Sequence, residues 1–316
     1  MFISRAPLRI SFFGGSSDYQ DFYSQHGSLL IGGSIDKYAY TGLRYRPRFL
    51  DTFHHISYSK QNIVDDINKI ENPLIRETLR YFKIDKCVDL VSFNDVPSRT
   101  GLGGSSSFCV SLIHSIYKLK EIPVNVEDIV KSAIKIEREI LKDSGGIQDQ
   151  IWAGFGGLNS IEILPSGQFL VKPLPVTKEF IREFEKSICL IYTNEQRLGE
   201  NIAMSHNNVD KTSILDIAKL GYKAFSDQNI KNIGDTVKYS WEEKKKISNL
   251  ISTNSADSII KDCLNMGCYG GKLLGSGGCG FVCVVGNPLT INKVKKKYKE
   301  SILNFSFVTT GVTQCM

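Results

Sequence analysis

Near the start of the chain Leu8, Ile10 and Phe12 alternate with Arg9, Ser11 and Phe13, which predicts a strand carrying Arg9 and Ser11 side by side opposite an apolar row. Gly14-Gly15-Ser16-Ser17-Asp18 breaks that strand. A short helical piece then covers 19–25, and 29–31 and 38–45 read as further strands. Residues 60–83 are polar and helical in character, and 88–93 is a strand. The period then changes from two to 3.6: Cys109, Leu112, Ile113, Ile116 and Leu119 predict a helix closed before Pro123. A second helix is predicted over 126–141, with Glu137 on its apolar stripe between Ala133 and Leu141 while Arg138 and Glu139 turn outward. A carboxylate there needs a cation or hydrogen bonds, or else reaches water from the edge of the stripe.

Gly145-Gly146-Ile147-Gln148-Asp149-Gln150 follows, then Trp152 and a turn-rich Gly154-Phe155-Gly156-Gly157, then a hairpin of 158–164 and 168–171 joined by Pro165-Ser166-Gly167. Beyond residue 180 the pattern changes: 188–193 reads as a strand and 196–250 as polar, lysine-rich helix. A chain of 316 residues exceeds what one core usually serves, so we expect two domains, 1–180 and 181–316.

With 41% hydrophobic and 23% charged residues the composition is that of an ordinary globular protein. The net charge of +6 suits anionic small substrates, and the basic run 293–299 reads as a solvated helix face, so no nucleic-acid partner is expected. No window approaches the ~18 apolar residues of a membrane span, and the first residues lack a signal-peptide layout; a cytoplasmic protein without a membrane partner is expected. The eight cysteines are scattered, and the nearest pairs, Cys263 with Cys268 and Cys279 with Cys283, lack zinc-site spacing; reduced, mostly buried thiols are expected.

The chemistry concentrates at Gly101-Leu102-Gly103-Gly104-Ser105-Ser106-Ser107, a glycine and hydroxyl loop running into the first strong helix. Glycines admit close backbone approach, and a helix start offers unpaired N–H groups and a favourable dipole, so the junction suits phosphate; the plainer alternative is an N-capped helix. Gly275-Ser276-Gly277-Gly278-Cys279-Gly280 matches a dinucleotide fingerprint but feeds a strand, 281–285, so it is a glycine turn and no evidence for NAD. A Walker-type lysine is absent from the loop at 101. Phosphoryl transfer needs positioned phosphates, Mg²⁺ and a group that orients or deprotonates the attacking hydroxyl. Glu137 and Ser106 would hold Mg²⁺, Asp149 would be the base or orienter, and Arg9 would stabilise its ionised form or the developing charge.

On these residues the chain resembles the galactokinase, homoserine kinase, mevalonate kinase and phosphomevalonate kinase (GHMP) superfamily, at three motifs in order. They are Ala6 to Tyr19, Pro97 to Ser107, and Lys272 to Gly280. The resemblance implies an α+β protein with an N-terminal domain like the second domain of ribosomal S5 and a ferredoxin-like C-terminal domain, with ATP and substrate between them. It implies that Asp149 is the catalytic aspartate with Arg9 beside it, that Glu137 binds magnesium, and that 101–107 holds the ATP phosphates. Asp18, with Gly14, Gly15 and Ser16, would contact the sugar, and Gly277 and Gly278 would line the transferred phosphate.

The start of the chain and Gln148-Asp149-Gln150 are most similar to the heptose 7-phosphate kinases. That implies transfer to the C1 hydroxyl of D-glycero-D-manno-heptose 7-phosphate on the way to a GDP-activated heptose for surface polysaccharide, with ATP and the phosphorylated heptose as partners of a monomer or homodimer. Gly15-Ser16 departs from the galactokinase pattern. Other aldose 1-kinases such as an L-fucose kinase, a diphosphomevalonate decarboxylase, and a silent ATP and sugar sensor are the alternatives; the presence of Asp149, Glu137 and the serines speaks against the sensor. For the substrate's own phosphate the choices are Arg197, just after a strand end, and Arg44, Arg46 and Arg48, which alternate on one strand face and could equally protect a strand edge. His206 is a further possible substrate contact, whereas His114 reads as packed or superficial.

Overall fold

The computed structural model describes residues 1–47, 49, 53–195, 212–248 and 251–315; Arg48, Arg197 and His206 lie outside the described residues. The N-terminal part runs β1 (Phe2–Phe13), α1 (Gln20–His26), β2 (Ser28–Tyr45), β3 (His54–Ser57), β4 (Gln61–Val64), α2 (Pro73–Tyr81), β5 (Val88–Asn94), α3 (Gly104–Leu119) and α4 (Val126–Ile134). It continues with α5 (Gln148–Phe155), β6 (Leu158–Ile163), β7 (Phe169–Pro173) and α6 (Lys178–Lys186). The rest is β8 (Ile188–Tyr192), α7 (Thr212–Ser226), α8 (Ile230–Ile247), α9 (Asn254–Asn265), β9 (Gly270–Leu273), β10 (Phe281–Val285), α10 (Pro288–Lys297), β11 (Ile302–Leu303) and β12 (Thr313–Gln314).

The first sheet is ordered β12-β1-β2-β5-β3-β4, and the long β2 also pairs with β6, which pairs with β7. The second is antiparallel with order β11-β8-β10-β9, so by its own sequence order it reads 4-1-3-2, the ferredoxin-like arrangement. The chain's last strand returns to the first sheet, where Gln314 pairs with Ser4.

One buried cluster joins both sheets: Leu8, Ile10, Phe12 and Phe13 of β1 pack with Leu190 of β8 and Cys283 and Val285 of β10. Phe12 sits 5.6 Å from Phe184 and 5.5 Å from Phe225, ring centre to ring centre. Full burial of such a side chain contributes about 1.5–3 kcal/mol, so β1 is clamped between the sheets. A second cluster packs α3 against α2 and the outer strands through Leu79, Leu90, Leu112, Ile113 and Ile116.

Several expectations are corrected. The two short strands at 29–31 and 38–45 are one strand, β2, because β6 pairs its first half and β5 its second. Residues 61–64, expected to be helical, form a hairpin with β3, and only Pro73–Tyr81 of that stretch is an α-helix. The predicted helix 126–141 is α-helical to Ile134 and continues as a π-helix over Lys135–Ile140. The turn-rich reading of 154–157 fails at its first two residues, which close α5, a helix whose Trp152 is fully buried. Arg44 and Arg46 of the candidate anion set both bond Asp89 of β5, at 2.6 and 2.5 Å, and the Arg44 side chain stays half exposed.

Candidate active site

β1 ends, the 101–107 loop and the 275–280 turn meet at the start of α3. The backbone N–H of Arg9 donates to the Leu102 carbonyl at 3.0 Å, and that of Phe281 to the Thr100 carbonyl at 3.2 Å. Gly101 has φ +81°, and a Cβ there would lie 2.6 Å from the Leu274 carbonyl oxygen. Gly280, at φ +113°, packs so closely on the Thr100 carbonyl that any side chain would overlap it. Glycine is required at both places by conformation and by contact.

Gly103 is the N-cap of α3, in the left-handed region at φ +78°. Behind it Leu102 is buried, and Ser107 anchors the helix by donating its hydroxyl to the Pro7 carbonyl at 2.8 Å. Gly101, Gly103, Gly104 and Ser105 stay at least partly open to solvent. The loop thus presents a helix N-terminus and backbone N–H groups with an accessible approach, which suits an anion.

Against this loop stands the Arg9–Asp149 pair. Arg9 Nε and Nη2 donate to the two Asp149 oxygens at 2.9 and 2.8 Å, and Nη1 donates to the Gly101 carbonyl at 2.5 Å. Arg9 is almost wholly buried, whereas about a quarter of the Asp149 side chain stays exposed, at 23%. A bidentate charge-assisted contact of this kind fixes both position and orientation. Gly103 leaves room for this approach: a Cβ there would sit tightly, 3.3 Å from Asp149 Oδ2.

Glu137 and Ser106 also come together. Ser106 Oγ donates to Glu137 Oε1 at 3.1 Å, and Gln150 Nε2 donates to Oε2 at 2.5 Å. Glu137 is buried, at 2% exposure, and burial pushes its carboxyl above the usual carboxylate range. The π-helix carries it: the Leu141 N–H reaches back to the Ile136 carbonyl at 2.9 Å, a wide turn of a kind often found at functional sites. Arg138 faces the other way and binds the carbonyls of Asp143 and Gly146, which shapes the loop before α5.

Asp18 is fully buried beneath the cleft, not on its wall. Its oxygens accept from the Ser16 N–H at 3.1 Å, the Gln148 N–H at 3.1 Å and Gln148 Nε2 at 3.2 Å, and Ser11 donates to Gln148 Oε1 at 2.7 Å. Desolvation raises the Asp18 carboxyl above its ordinary value. In this structure Asp18 therefore braces the start of α5, whose first turn carries Asp149, and Ser16 is buried with it. Gly15 alone of the expected Gly14, Gly15, Ser16 and Asp18 set is partly exposed. Gly278 bonds the Ile251 carbonyl through its N–H at 3.0 Å, holding the 275–280 turn against the segment before α9.

The GHMP kinases N terminal domain family matches residues 66–157, which span α2, the phosphate loop, Glu137 and Asp149. The chain carries a GHMP kinases N terminal domain and is similar to kinases of that family along its length. It is a phosphotransferase. It is 26% identical to D-glycero-alpha-D-manno-heptose 7-phosphate kinase of Campylobacter jejuni, over 98% of this chain and 97% of that protein. Its fold superposes on a D-glycero-D-manno-heptose 1-phosphate kinase of Bacteroides thetaiotaomicron with a TM-score of 0.81, at 23% identity, covering 100% of this chain and 99% of that one. Galactokinase of Lactococcus lactis, complexed with galactose, gives a TM-score of 0.78 at 17% identity, with 99% and 94% coverage. The α+β architecture expected from the motifs is thereby that of the kinase.

Sequence reasoning missed two lysines of this kinase. Lys272 Nζ donates to the Phe12 carbonyl at 2.8 Å and is buried, while the partly buried Lys244 donates to the Gly275 carbonyl at 2.5 Å. Lys272 stood at the head of the third motif and could have been singled out. Lys244 is one of Lys244-Lys245-Lys246, and nothing local separates it from its neighbours. Gln148 and Gln150, which bracket Asp149, were quoted only as part of a motif. Among the described residues no helix is long and apolar enough to cross a membrane, and no three His, Cys, Asp or Glu side chains cluster as a metal site.

Proposed function

We propose that this kinase transfers the γ-phosphoryl group of ATP to the C1 hydroxyl of D-glycero-D-manno-heptose 7-phosphate, giving the 1,7-bisphosphate and ADP. The observation that carries the chemistry is the Arg9–Asp149 fork set against Gly103 at the mouth of the phosphate loop. The substrate is supported by the end-to-end likeness to the Campylobacter jejuni heptose 7-phosphate kinase.

In this reading residues 101–107 cradle the ATP phosphates. The partly exposed Asp149 orients the sugar hydroxyl and takes its proton as the oxygen attacks phosphorus and the bond to the ADP oxygen breaks. Arg9 keeps the Asp149 carboxylate aimed through its two-pronged contact. Asp18 and Gln148 set the first turn of α5, so Asp18 is a positioning residue, while Gly15 and Gly277–Gly278 border the acceptor. The N-terminal part, 1–180, supplies ATP binding and the base, and 181–316 completes the site.

Mg²⁺ fits the donors present. Ser106 and Glu137 offer two hard oxygens, few enough for an ion that keeps waters and phosphate oxygens as its other ligands. Gln150 Oε1, buried beside Glu137, has no hydrogen-bond partner among the described residues and could serve a water in that shell. When bound there, the ion would neutralise the phosphate charge.

The test is ADP release with heptose 7-phosphate, L-fucose, galactose and mevalonate offered in parallel. The reading requires a kcat/KM for the phosphorylated heptose well above the others; preference for an unphosphorylated sugar would replace it with the aldose 1-kinase alternative.

A further inference from the structure

Three cations come together where the two sheets pack: Arg9 from β1, Lys272 from β9 and Lys244 from α8. Arg9 is matched by Asp149. Among the described residues neither lysine pairs with a carboxylate; each binds a single backbone carbonyl, Lys272 that of Phe12 and Lys244 that of Gly275. An ammonium has three donors, so the buried Lys272 and the partly buried Lys244 each retain donor capacity. Such an arrangement is costly for a charge unless an anion completes it.

The carbonyls they grip locate the pair. Gly275 opens the third glycine turn and stacks on Gly101, where a Cβ on Gly275 would lie 2.6 Å from the Gly101 Cα. Gly101 in turn takes the third donor of Arg9. Phe12 is the last residue but one of β1, just before the Gly14–Asp18 turn that borders the acceptor side. Lys244 and Lys272 therefore stand behind the junction of the phosphate loop, the third turn and the acceptor turn, with α8 packed on β9 to hold them there.

We propose that Lys244 and Lys272 form a phosphate-binding pair at this junction, taking an oxyanion that belongs either to the γ-phosphoryl group of ATP or to the ester phosphate of the sugar acceptor. The second source rests on the proposed function; the first does not. The electrostatics agree. Burial pushes the Lys244 ammonium down to about 7, Lys272 and Arg9 add to the effect, and Asp18 opposes it. Lys272 is pushed down to about 8 by burial, with Cys283 opposing and Arg9 adding. An arriving phosphate would reverse these shifts by supplying the missing counter-charge.

The experiment uses full-length protein with Lys244→Met, and Lys244→Arg as the conservative variant. Calorimetry measures a non-hydrolysable ATP analogue and ADP, and steady-state kinetics measures the phosphorylated sugar. Loss of one charge-assisted contact should cost about tenfold or more in one of two places. If the γ-phosphoryl group is the guest, the analogue loses its advantage over ADP; if the sugar phosphate is, its KM rises while the analogue-to-ADP ratio holds. Arginine should restore most of either loss. An unchanged ratio together with an unchanged KM, in a variant that melts like the wild type, overturns the proposal. Lys272→Met also loses its bond to β1, so Lys244→Met is the deciding variant. Nucleotide binding needs no acceptor, so that arm remains decisive even if no phosphorylated heptose is turned over.

Discussion

Arg9 and Asp149, 140 residues apart, meet through two parallel hydrogen bonds of 2.9 and 2.8 Å, and the third arm of the same guanidinium holds the Gly101 carbonyl. One rigid side chain thus sets the distance between the proposed base and the phosphate loop. Lysine cannot reproduce a planar fork. Asp149→Asn should lower kcat by about 10²- to 10⁴-fold while leaving nucleotide affinity within a few-fold. Arg9→Lys, which keeps the charge and loses the geometry, should fall between that variant and the wild type. Wild-type ADP release by Asp149→Asn would remove Asp149 from the mechanism.

Ser106 and Glu137 touch at 3.1 Å and are the proposed metal donors. Ser106→Ala should raise the Mg²⁺ concentration needed for half-maximal rate several-fold, while metal-free ADP binding stays the same. Titrating Mg²⁺ at fixed ATP makes the comparison; coincident titration curves would show that the serine is only a helix-start residue.

Gly280→Ala should be costly, because its left-handed φ of +113° and its contact with Thr100 both exclude a side chain. A loss of about 2 kcal/mol or more is expected, which is several degrees in Tm for a chain of this size. Gly167 is the control: its φ is +84°, but a Cβ there would meet nothing nearer than 3.8 Å, so alanine meets only conformational strain. Equal melting shifts in the two variants would mean that the contact between the two glycine loops is unimportant.

His114 is buried on α3, with its Nδ1 2.7 Å from Ser4 Oγ, and burial lowers it to about 4 from an ordinary 6.5, with Lys118 adding to the effect. The unfolded chain therefore binds this proton between pH 6.5 and 4 and the folded one does not. Stability from this residue is complete above 6.5 and declines as pH falls toward 4. Urea unfolding across that window should show a shallower pH dependence in His114→Gln; identical slopes would assign the acid sensitivity to other groups.

How much of this was legible depended on how local each cause is. The faces of β1 and the extent of α3 follow from spacing within single elements, so Arg9, Ser106 and the loop could be found in advance. Glu137 was visible as a carboxylate on an apolar stripe, but the π-helix that presents it leaves no periodic signature over six residues. α5 was hidden because Gly145, Gly146 and Gly156 flank it and Gly154 lies within it, the helix being sustained by burial of Ile151 and Trp152. Asp18 was expected to contact the sugar, and its burial beneath Gln148 was hidden because it depends on a partner 130 residues away. Lys244 gained its position only when α8 docked on β9.

Phosphorus NMR of the product formed from ATP and D-glycero-D-manno-heptose 7-phosphate distinguishes transfer to C1 from every other outcome. A new phosphate resonance coupled to the anomeric proton should grow in step with ADP while the 7-phosphate signal persists. A new phosphate coupled to any other sugar proton, or ADP formation without a new sugar phosphate, would contradict transfer to C1.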